Sequence, residues 1–473
     1  MRSVTKMKYT LVFLSFISSM LLAQTDSMRD NLTPPLMVER AVTVAQANDP
    51  WLIGNKHSQE AIESMSVVAG TLPDPKMSLG LANIAADSFD FNQEGMTQFK
   101  MGVSQMFPRG DSLAIKQEQL KLQASQFPYL REDRKAKVAV IVAKLWFDAY
   151  KAQESIALIE SDRALFEQLA DVVQASYSSA VGKTRQQDIL RAQLELTRLD
   201  DRLTMLKQKQ EMSLQRLSEW LGQYPSDNLS RRIESAAINP SGFALSRNLP
   251  NIRMIEQAIY IAKLEPTLQE LFNYFSLHPA VMAFEQKIKV SKSEIDLAKQ
   301  KYKPEWGVSA GYGFRDDGPM STDRADLFSI GVSFDIPLFT SNRQDKQVQS
   351  AISKNAAVKT EKWLLVRKFI ASFEASQAQL LRLNERQKLY QDRLLPQMHD
   401  QAEASLTAYT NDDGDFAEVV RSRIAELNAA IDALGISVER QKSIVQLNYY
   451  FTKSADDIVS DNGQLSRRLG EKK

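Results

Sequence analysis

The sequence predicts a mainly α-helical fold with a β-barrel part, and three observations predict it. Landmarks of the first half of the 473-residue chain recur in order in the second half, about 229 residues on. Two segments in each half alternate large apolar residues with small or polar ones, the period of a strand. Residues 129–181 and 338–395 run without a single glycine or proline.

Composition limits the classes. Charged residues are 25% of the chain and the mean hydropathy is −0.32, which excludes a helical membrane bundle. A net charge of +1, from 59 basic and 58 acidic residues, lacks the basic excess of a nucleic-acid binder. The chain has no cysteine, which excludes disulfides, thiolate chemistry and a lipidated N-terminal cysteine. Residues 1–23 read as a signal peptide: Arg2, Lys6 and Lys8 precede the apolar "LVFLSFISSMLLA", which is too short to span a bilayer and ends in a small residue. Export is expected, and without those three cations 56 basic residues face 58 acidic ones, a net of −2.

The duplication rests on ordered matches. Pro50 pairs with Pro279, Pro75 with Pro304, and "MGVSQMFP" (101–108) with "IGVSFDIP" (330–337), all at an offset of 229. Tyr177 and Gly182 of "YSSAVG" pair with Tyr409 and Gly414 of "YTNDDG" at an offset of 232. That period is far too long for a solenoid repeat. The expected organisation has a first repeat at 24–239, with a helix, two strands about 77–107 and a helical hairpin about 112–221. A linker follows at 240–275. The second repeat is 276–452, with a helix, two strands about 305–337 and a hairpin about 340–452, and a tail covers 453–473.

The strands are read by parity. Phe99, Met101 and Val103 share one face with Phe107, against Lys100, Gly102 and Ser104 on the other. Met77, Leu79 and Leu81 alternate likewise. Trp306, Val308, Tyr312 and Phe314 alternate with Gly307, Ser309, Gly311 and Gly313; Phe328, Ile330, Val332 and Phe334 alternate with Ser329, Gly331 and Ser333. An apolar face backed by Gly and Ser, in an exported chain, matches a barrel with lipid outside and water inside. The expected lipid-facing residues are Phe99, Met101, Val103, Trp306, Phe328, Ile330 and Val332. Bacterial barrels start at about 8 strands. Four strands therefore require several chains to share one barrel, because open edges are not tolerated in lipid.

The helices follow a coiled-coil seam. Val138, Val142, Leu145, Ala149, Ala152, Ile156, Ile159, Phe166, Ala170, Val173 and Tyr177 step by threes and fours, broken only at Arg163. Gly182 then permits a turn, and a return helix is expected to about Leu221.

With these features in hand, the chain resembles the TolC-type outer-membrane efflux proteins of Gram-negative bacteria. The resemblance covers the chain beyond its signal segment. It rests on "AGTLPDPKMSLGLAN", "GVSQMFPRGD", "GVSFDIPLFTSNRQ", the Tyr-x4-Gly tips and the duplication itself. It implies a homotrimer with a 12-stranded barrel, four strands per chain, above a trimeric α-helical tunnel with a mixed belt around its middle. It implies a passive exit duct working with a periplasmic adaptor (membrane fusion) protein and an inner-membrane pump of RND type. The "LPDP" wording is most similar to the CusC/CzcC-like metal-efflux branch, so metal cations are a candidate cargo. The missing cysteine departs from the many lipidated members of that branch.

By that resemblance, Val181, Gly182, Lys183, Thr184 and Gly414 at the two hairpin tips are the expected adaptor-docking residues. Asp412, Asp413, Asp415 and Glu418 form an acidic second tip, a candidate periplasmic gate or cation filter. Relatives that close with acidic rings carry them further into the helix, where this chain has Val420 and Arg423. Charge-rich helical turns are also ordinary solvated turns.

No catalytic, cofactor or metal constellation is expected. His57, His278 and His399 lack a ligand partner at helical spacing and read as surface or packing residues. "GYGFRDDG" places Asp316 where a GxGxxG motif needs glycine. "TNDDGDFAEVV" misses the EF-hand pattern at Tyr409 and Val420. Met77, Met96, Met101 and Met106 fit apolar strand positions better than a copper path. The competing readings are a structural periplasmic coiled-coil protein without a channel, a multidrug or type I secretion duct, and a stand-alone porin.

Overall fold

The computed structural model describes residues 35–178, 185–222, 244–255, 267–318, 322–411 and 413–453. The signal segment, Val181, Gly182, Lys183, Thr184 and Asp412 lie outside the described residues. The first repeat holds α1 (Val38–Asn48), α2 (Pro50–Ala69), β1 (Lys76–Ala82), β2 (Gln98–Phe107), α3 (Ser112–Ala124), α4 (Gln126–Ser178) and α5 (Gln186–Leu221). The second holds α6 (Leu268–Ser276), α7 (Pro279–Gln300), β3 (Trp306–Phe314), β4 (Leu327–Phe334), α8 (Gln344–Leu389), a π-turn (Tyr390–Leu394), α9 (Leu395–Thr410) and α10 (Phe416–Tyr450).

Three boundaries differ from the expectation, each for a local reason. The helix expected to open the first repeat is a pair interrupted at Asp49, and the stretch expected as linker holds a helix, α6, that ends just ahead of the His278 cap of α7. The first arm of the first hairpin is two helices that meet at Ser125, and α4 begins ahead of Pro128. That proline falls in the first turn, where its missing N–H has no partner to lose. In the second hairpin the helix passes Pro396, because the preceding turn widens: the Leu395 N–H reaches back to the Tyr390 carbonyl, a π-type bond. A π-turn is one of the few ways a helix absorbs a proline without ending.

The chain forms two compact units, each taking segments from both repeats. One comprises the described residues among 35–48, 138–253 and 380–445. Its first core joins Val38, Ala41 and Ala45 of α1 to Val138, Val142, Trp146, Phe147 and Tyr150 of α4 and to Leu217 and Leu221 of α5. Trp146 is fully buried and donates its indole N–H to the Leu36 carbonyl at 2.9 Å, as a buried indole must find an acceptor. Tyr150 stacks on it at 5.3 Å and donates to the Arg247 carbonyl at 3.1 Å. A second core unites Ile156, Ile159, Phe166 and Val173 of α4 with Leu199 and Leu203 of α5 and Val419, Val420 and Leu427 of α10. The seam expected in α4 is thus buried along most of its length, but Tyr177 is exposed. The seam also missed Trp146, Phe147 and Leu169, which flank it and widen the buried stripe.

The other unit comprises the described residues among 49–137, 254–379 and 446–453 and carries the sheet. Its core is aromatic: Phe275 of α6 packs edge-on against Phe369 and Phe373 of α8 and meets Tyr450 of α10 at 6.2 Å.

The duplication left a matching device at both Pro50 and Pro279. Each proline is the first residue of a helix, and the residue before it caps that helix. Asp49 Oδ1 accepts from the Trp51 N–H at 3.1 Å. At the equivalent position the imidazole of His278 does the same work, Nδ1 accepting from the Ala280 N–H at 3.1 Å. Its Nε2–H donates to the Tyr449 carbonyl at 3.0 Å. Both ring nitrogens are thereby committed to the neutral form, and the ring is fully buried against Phe369 and Tyr449. Burial lowers its pKa from 6.5 to about 4, partly offset by the nearby Asp133 carboxylate and the bond to Tyr449.

The native state therefore disfavours a proton that the unfolded chain accepts. The His278 contribution to stability is present above pH 6.5 and is lost as pH falls from 6.5 to about 4. The full range corresponds to about 3 kcal/mol. Thermal unfolding of the purified protein should lose more of its midpoint over that interval than His278→Asn does, since asparagine caps without titrating. Parallel pH profiles for the two proteins would remove this role from His278.

Candidate functional site

The sheet is antiparallel in the order β1-β2-β3-β4, so β1 and β4 are its edges. Its register stacks the odd-numbered residues of β1 and β2 on the even-numbered residues of β3 and β4. Leu81 faces Phe99 and Phe99 faces Phe314; Leu79, Met101, Tyr312 and Phe328 form the next row. Met77, Val103, Ala310 and Ile330 follow, then Gln105, Val308 and Val332, and finally Phe107, Trp306 and Phe334. All seven residues expected to face lipid lie on this one face, and all are exposed. Phe328 and Ile330 reach 69% and 70% exposure, which no soluble core would leave open.

The register reveals an order that parity alone did not. Aromatic residues occupy the rows at both ends, and aliphatic residues occupy the middle. From the Phe99 row to the Phe107 row the distance along a strand is ~27 Å at 3.4 Å per residue. Tilted by about 35–45° as barrel strands are, that length would span ~19–22 Å of height, comparable to the apolar band of about 25 Å flanked by aromatic girdles on a membrane barrel. Gln105 is the polar exception on this face, and it donates to the Pro73 carbonyl at 2.7 Å.

The opposite face is a ladder of small residues. Ser78 stands beside Gly102, Ser329 beside Gly311, and Ser309 beside Gly331. These serine hydroxyls lie over the glycines: a Cβ at Gly331 would sit 2.9 Å from Ser309 Oγ. At Gly307 the space is shared by Ser333 and Met106, so Met106 belongs to this face, while Met96 precedes the strand. The expectation of four apolar-face methionines is corrected: only Met77 and Met101 hold such positions.

At the second hairpin tip, Gly414 has no room for a side chain. A Cβ there would meet the Tyr409 nitrogen at 2.7 Å, so the chain folds back against the end of α9. The Asp413 N–H closes that end on the Ala408 carbonyl at 2.9 Å. Asp415 Oδ1 accepts from the Ala417 N–H at 3.1 Å and so caps α10. Glu418 lies in the first turn of α10 and pairs with Arg421. Two of the candidate gate acids thus have local helix-starting roles, the kind favoured by the helix dipole. At the first tip only its edge is described: Arg185 precedes α5 and its N–H binds Asp188 at 2.9 Å.

One cluster escaped the sequence reading. Past the tip, Arg423 of α10 is 9% exposed and bridges Glu403 of α9 and Glu426 of α10. His399 Nδ1 lies 2.7 Å from the same Glu426. Hydrogen bonding to Arg423 holds the Glu403 carboxyl below its usual pKa, and Glu426 raises that of His399. Burial, reinforced by Glu426, raises that of Asp162 on α4. The spacing of Arg423 and Glu426 was a visible signal. The partner Glu403 was not, since only the hairpin brings α9 alongside α10. The other two histidines fit their expected surface and packing roles: His57 is exposed beside Glu60, and His278 is buried.

No family model matches the chain, and no curated protein matches it in sequence. Solved structures match it over nearly its full length. The outer-membrane channel OprN superposes with a TM-score of 0.68 at 15% identity, over 88% of this chain and 89% of that one. CusC, described for its folding and transmembrane channel formation, gives 0.68 at 13% identity, over 90% and 96%. The Campylobacter jejuni CmeC outer membrane channel gives 0.68 at 12% identity, over 90% and 88%. The fold is that of these channels, with long helices and a four-stranded share of a barrel.

The Arg423 cluster yields a stability prediction. Arg423→Leu would remove the cation that Glu403 and Glu426 share, leaving Glu426 with His399 alone. We expect a modest loss of stability, since the nearly buried guanidinium is replaced but Glu403 remains half exposed. It should appear as a lower unfolding midpoint at neutral pH, with recovery when Glu403→Gln and Glu426→Gln are added. An unchanged midpoint in the single variant would show the cluster to be inert.

Proposed function

We propose that the chain is one subunit of a homotrimeric outer-membrane exit duct, a passive conduit for cargo delivered by an inner-membrane pump through a periplasmic adaptor. The supporting observation is the sheet: two open edges, and an exposed apolar face graded from aromatic to aliphatic to aromatic. Three such sheets would close a 12-stranded barrel, leaving the Gly–Ser face to line a watery lumen. The likeness in fold to outer-membrane channels supports the same reading. A structural coiled-coil protein would explain the long helices but not this face. An RND-type pump and metal cations as cargo extend the reading through the resemblance in sequence.

Within this proposal the tips carry docking. Val181 to Thr184 and the tight turn at Gly414 would meet the tip of the adaptor. Asp412, Asp413, Asp415 and Glu418 would bring twelve carboxylates of a trimer near the periplasmic mouth. Their field would favour cations within a Debye length of about 8 Å at physiological salt.

Two experiments test this. Extracted in mild detergent, the protein should be a trimer by light scattering and conduct ions in planar bilayers. Neutralising Asp412, Asp413 and Asp415 together should reduce cation selectivity or raise open probability. A monomer without conductance would refute the duct. Second, Val332→Arg should cost ~2–4 kcal/mol at the bilayer midplane and reduce the yield of assembled protein. At Gly331 an added Cβ meets only the Ser309 hydroxyl, and Gly331→Arg, with its side chain towards the proposed lumen, should assemble with a narrower conductance. Equal loss of assembly in both variants would contradict the assignment of faces.

A further inference from the structure

At the junction of β4 and α8 there is a cavity of about 570 Å³ for which the duct reading has no use. One wall is polar. It includes Lys301, just past the end of α7, and Arg343 and Gln344 at the start of the 46-residue α8. Among the described residues neither Lys301 nor Arg343 has a carboxylate partner. The third cation in the cavity, Arg109, is already held by Asp335 and Glu305. Gln344 is 7% exposed, yet its Oε1 is shielded from water and has no hydrogen-bond partner. A buried carbonyl oxygen without a donor is costly, on the order of 1–3 kcal/mol, and calls for a ligand.

The other wall is apolar. Ile336, Leu338 and Phe339 line it and are 62%, 71% and 87% exposed. They follow directly on Phe334, the last residue of the aromatic row on that side of the sheet.

We infer that this cavity binds the headgroup of a glycerophospholipid of the ethanolamine class, with its acyl chains against Ile336, Leu338 and Phe339. The inference rests on the reading of the sheet as membrane-embedded. The phosphate takes the two free cations, aided by the positive end of the α8 dipole. The headgroup ammonium supplies the donor that Gln344 Oε1 lacks. Gln344 lines the cavity, and rotation about its soft terminal torsion would present that oxygen to the ammonium. A free phosphate would leave the apolar wall and the amide oxygen unused. A purely apolar ligand would leave two cations unpaired.

The test uses the full chain extracted from membranes. Its fractionation with the outer membrane is checked first, then lipid retention by native mass spectrometry on titration with palmitoyl-oleoyl-phosphatidylethanolamine. We expect one lipid retained per chain. Occupancy should fall at least tenfold in Lys301→Ser/Arg343→Ser, and by a smaller factor in Lys301→Gln, the fallback if the double variant does not assemble. Gln344→Leu should abolish the preference over palmitoyl-oleoyl-phosphatidylglycerol. Phosphoethanolamine alone should not compete. Retention unchanged by the cation substitutions, or equal competition by phosphoethanolamine, would overturn the lipid site. Absence from the outer membrane would instead overturn the duct reading, so the two failures are distinguishable.

Discussion

The sheet's two unpaired edges are the constraint on which everything else depends. β1 and β4 each present a row of backbone N–H and C=O groups with no ladder partner among the described residues. In water such edges are satisfied by solvent, but in hydrocarbon each unsatisfied group costs several kcal/mol. The face beside those edges carries Phe328, Ile330 and Val332 in the open. A sheet with that face in lipid cannot exist as one chain, so its edges and its apolar surface demand the same remedy, closure by further copies.

The duplication serves that remedy. Under the proposed closure, two strands and one long helical hairpin per repeat would let a single gene product supply quasi-equivalent pieces around an axis. Equivalence of geometry did not need equivalence of chemistry. Asp49 and His278 each cap a proline-led helix at matching positions, but one uses a carboxylate and the other a buried neutral imidazole. Arg134 pairs with Asp49 at 2.7 Å, while aromatic rings enclose His278. The second repeat therefore carries a buried imidazole whose protonation the native state disfavours.

Electrostatics near the second tip follows the same logic of local use. Asp415 and Glu418 start α10, and Arg423 with Glu403, Glu426 and His399 ties α9 to α10 a few turns later. Isolated exposed pairs would contribute little. Arg423 differs because it is nearly buried and shares its charge between two carboxylates, so removing it takes a partner from both. Val420, at the other position where relatives carry acids, belongs to the apolar core of the hairpin.

The sequence by itself determined the periods, and so it determined the elements. The alternation in 306–314 matches β3 residue for residue, because side chains on a strand must alternate and only Gly, Ser and Ala intervene. The stretch without glycine or proline determined the long helices for the same local reason. Tertiary structure decided what depends on neighbours distant in the chain. It decided the register that gathers aromatics into end rows, the pairing of Arg423 with Glu403, and the burial of Trp146 beside rather than within the seam. It also decided the cavity between Phe339, Lys301 and Gln344. No spacing rule links those three residues; a sheet end, a helix end and a helix start meet there only once the chain has folded.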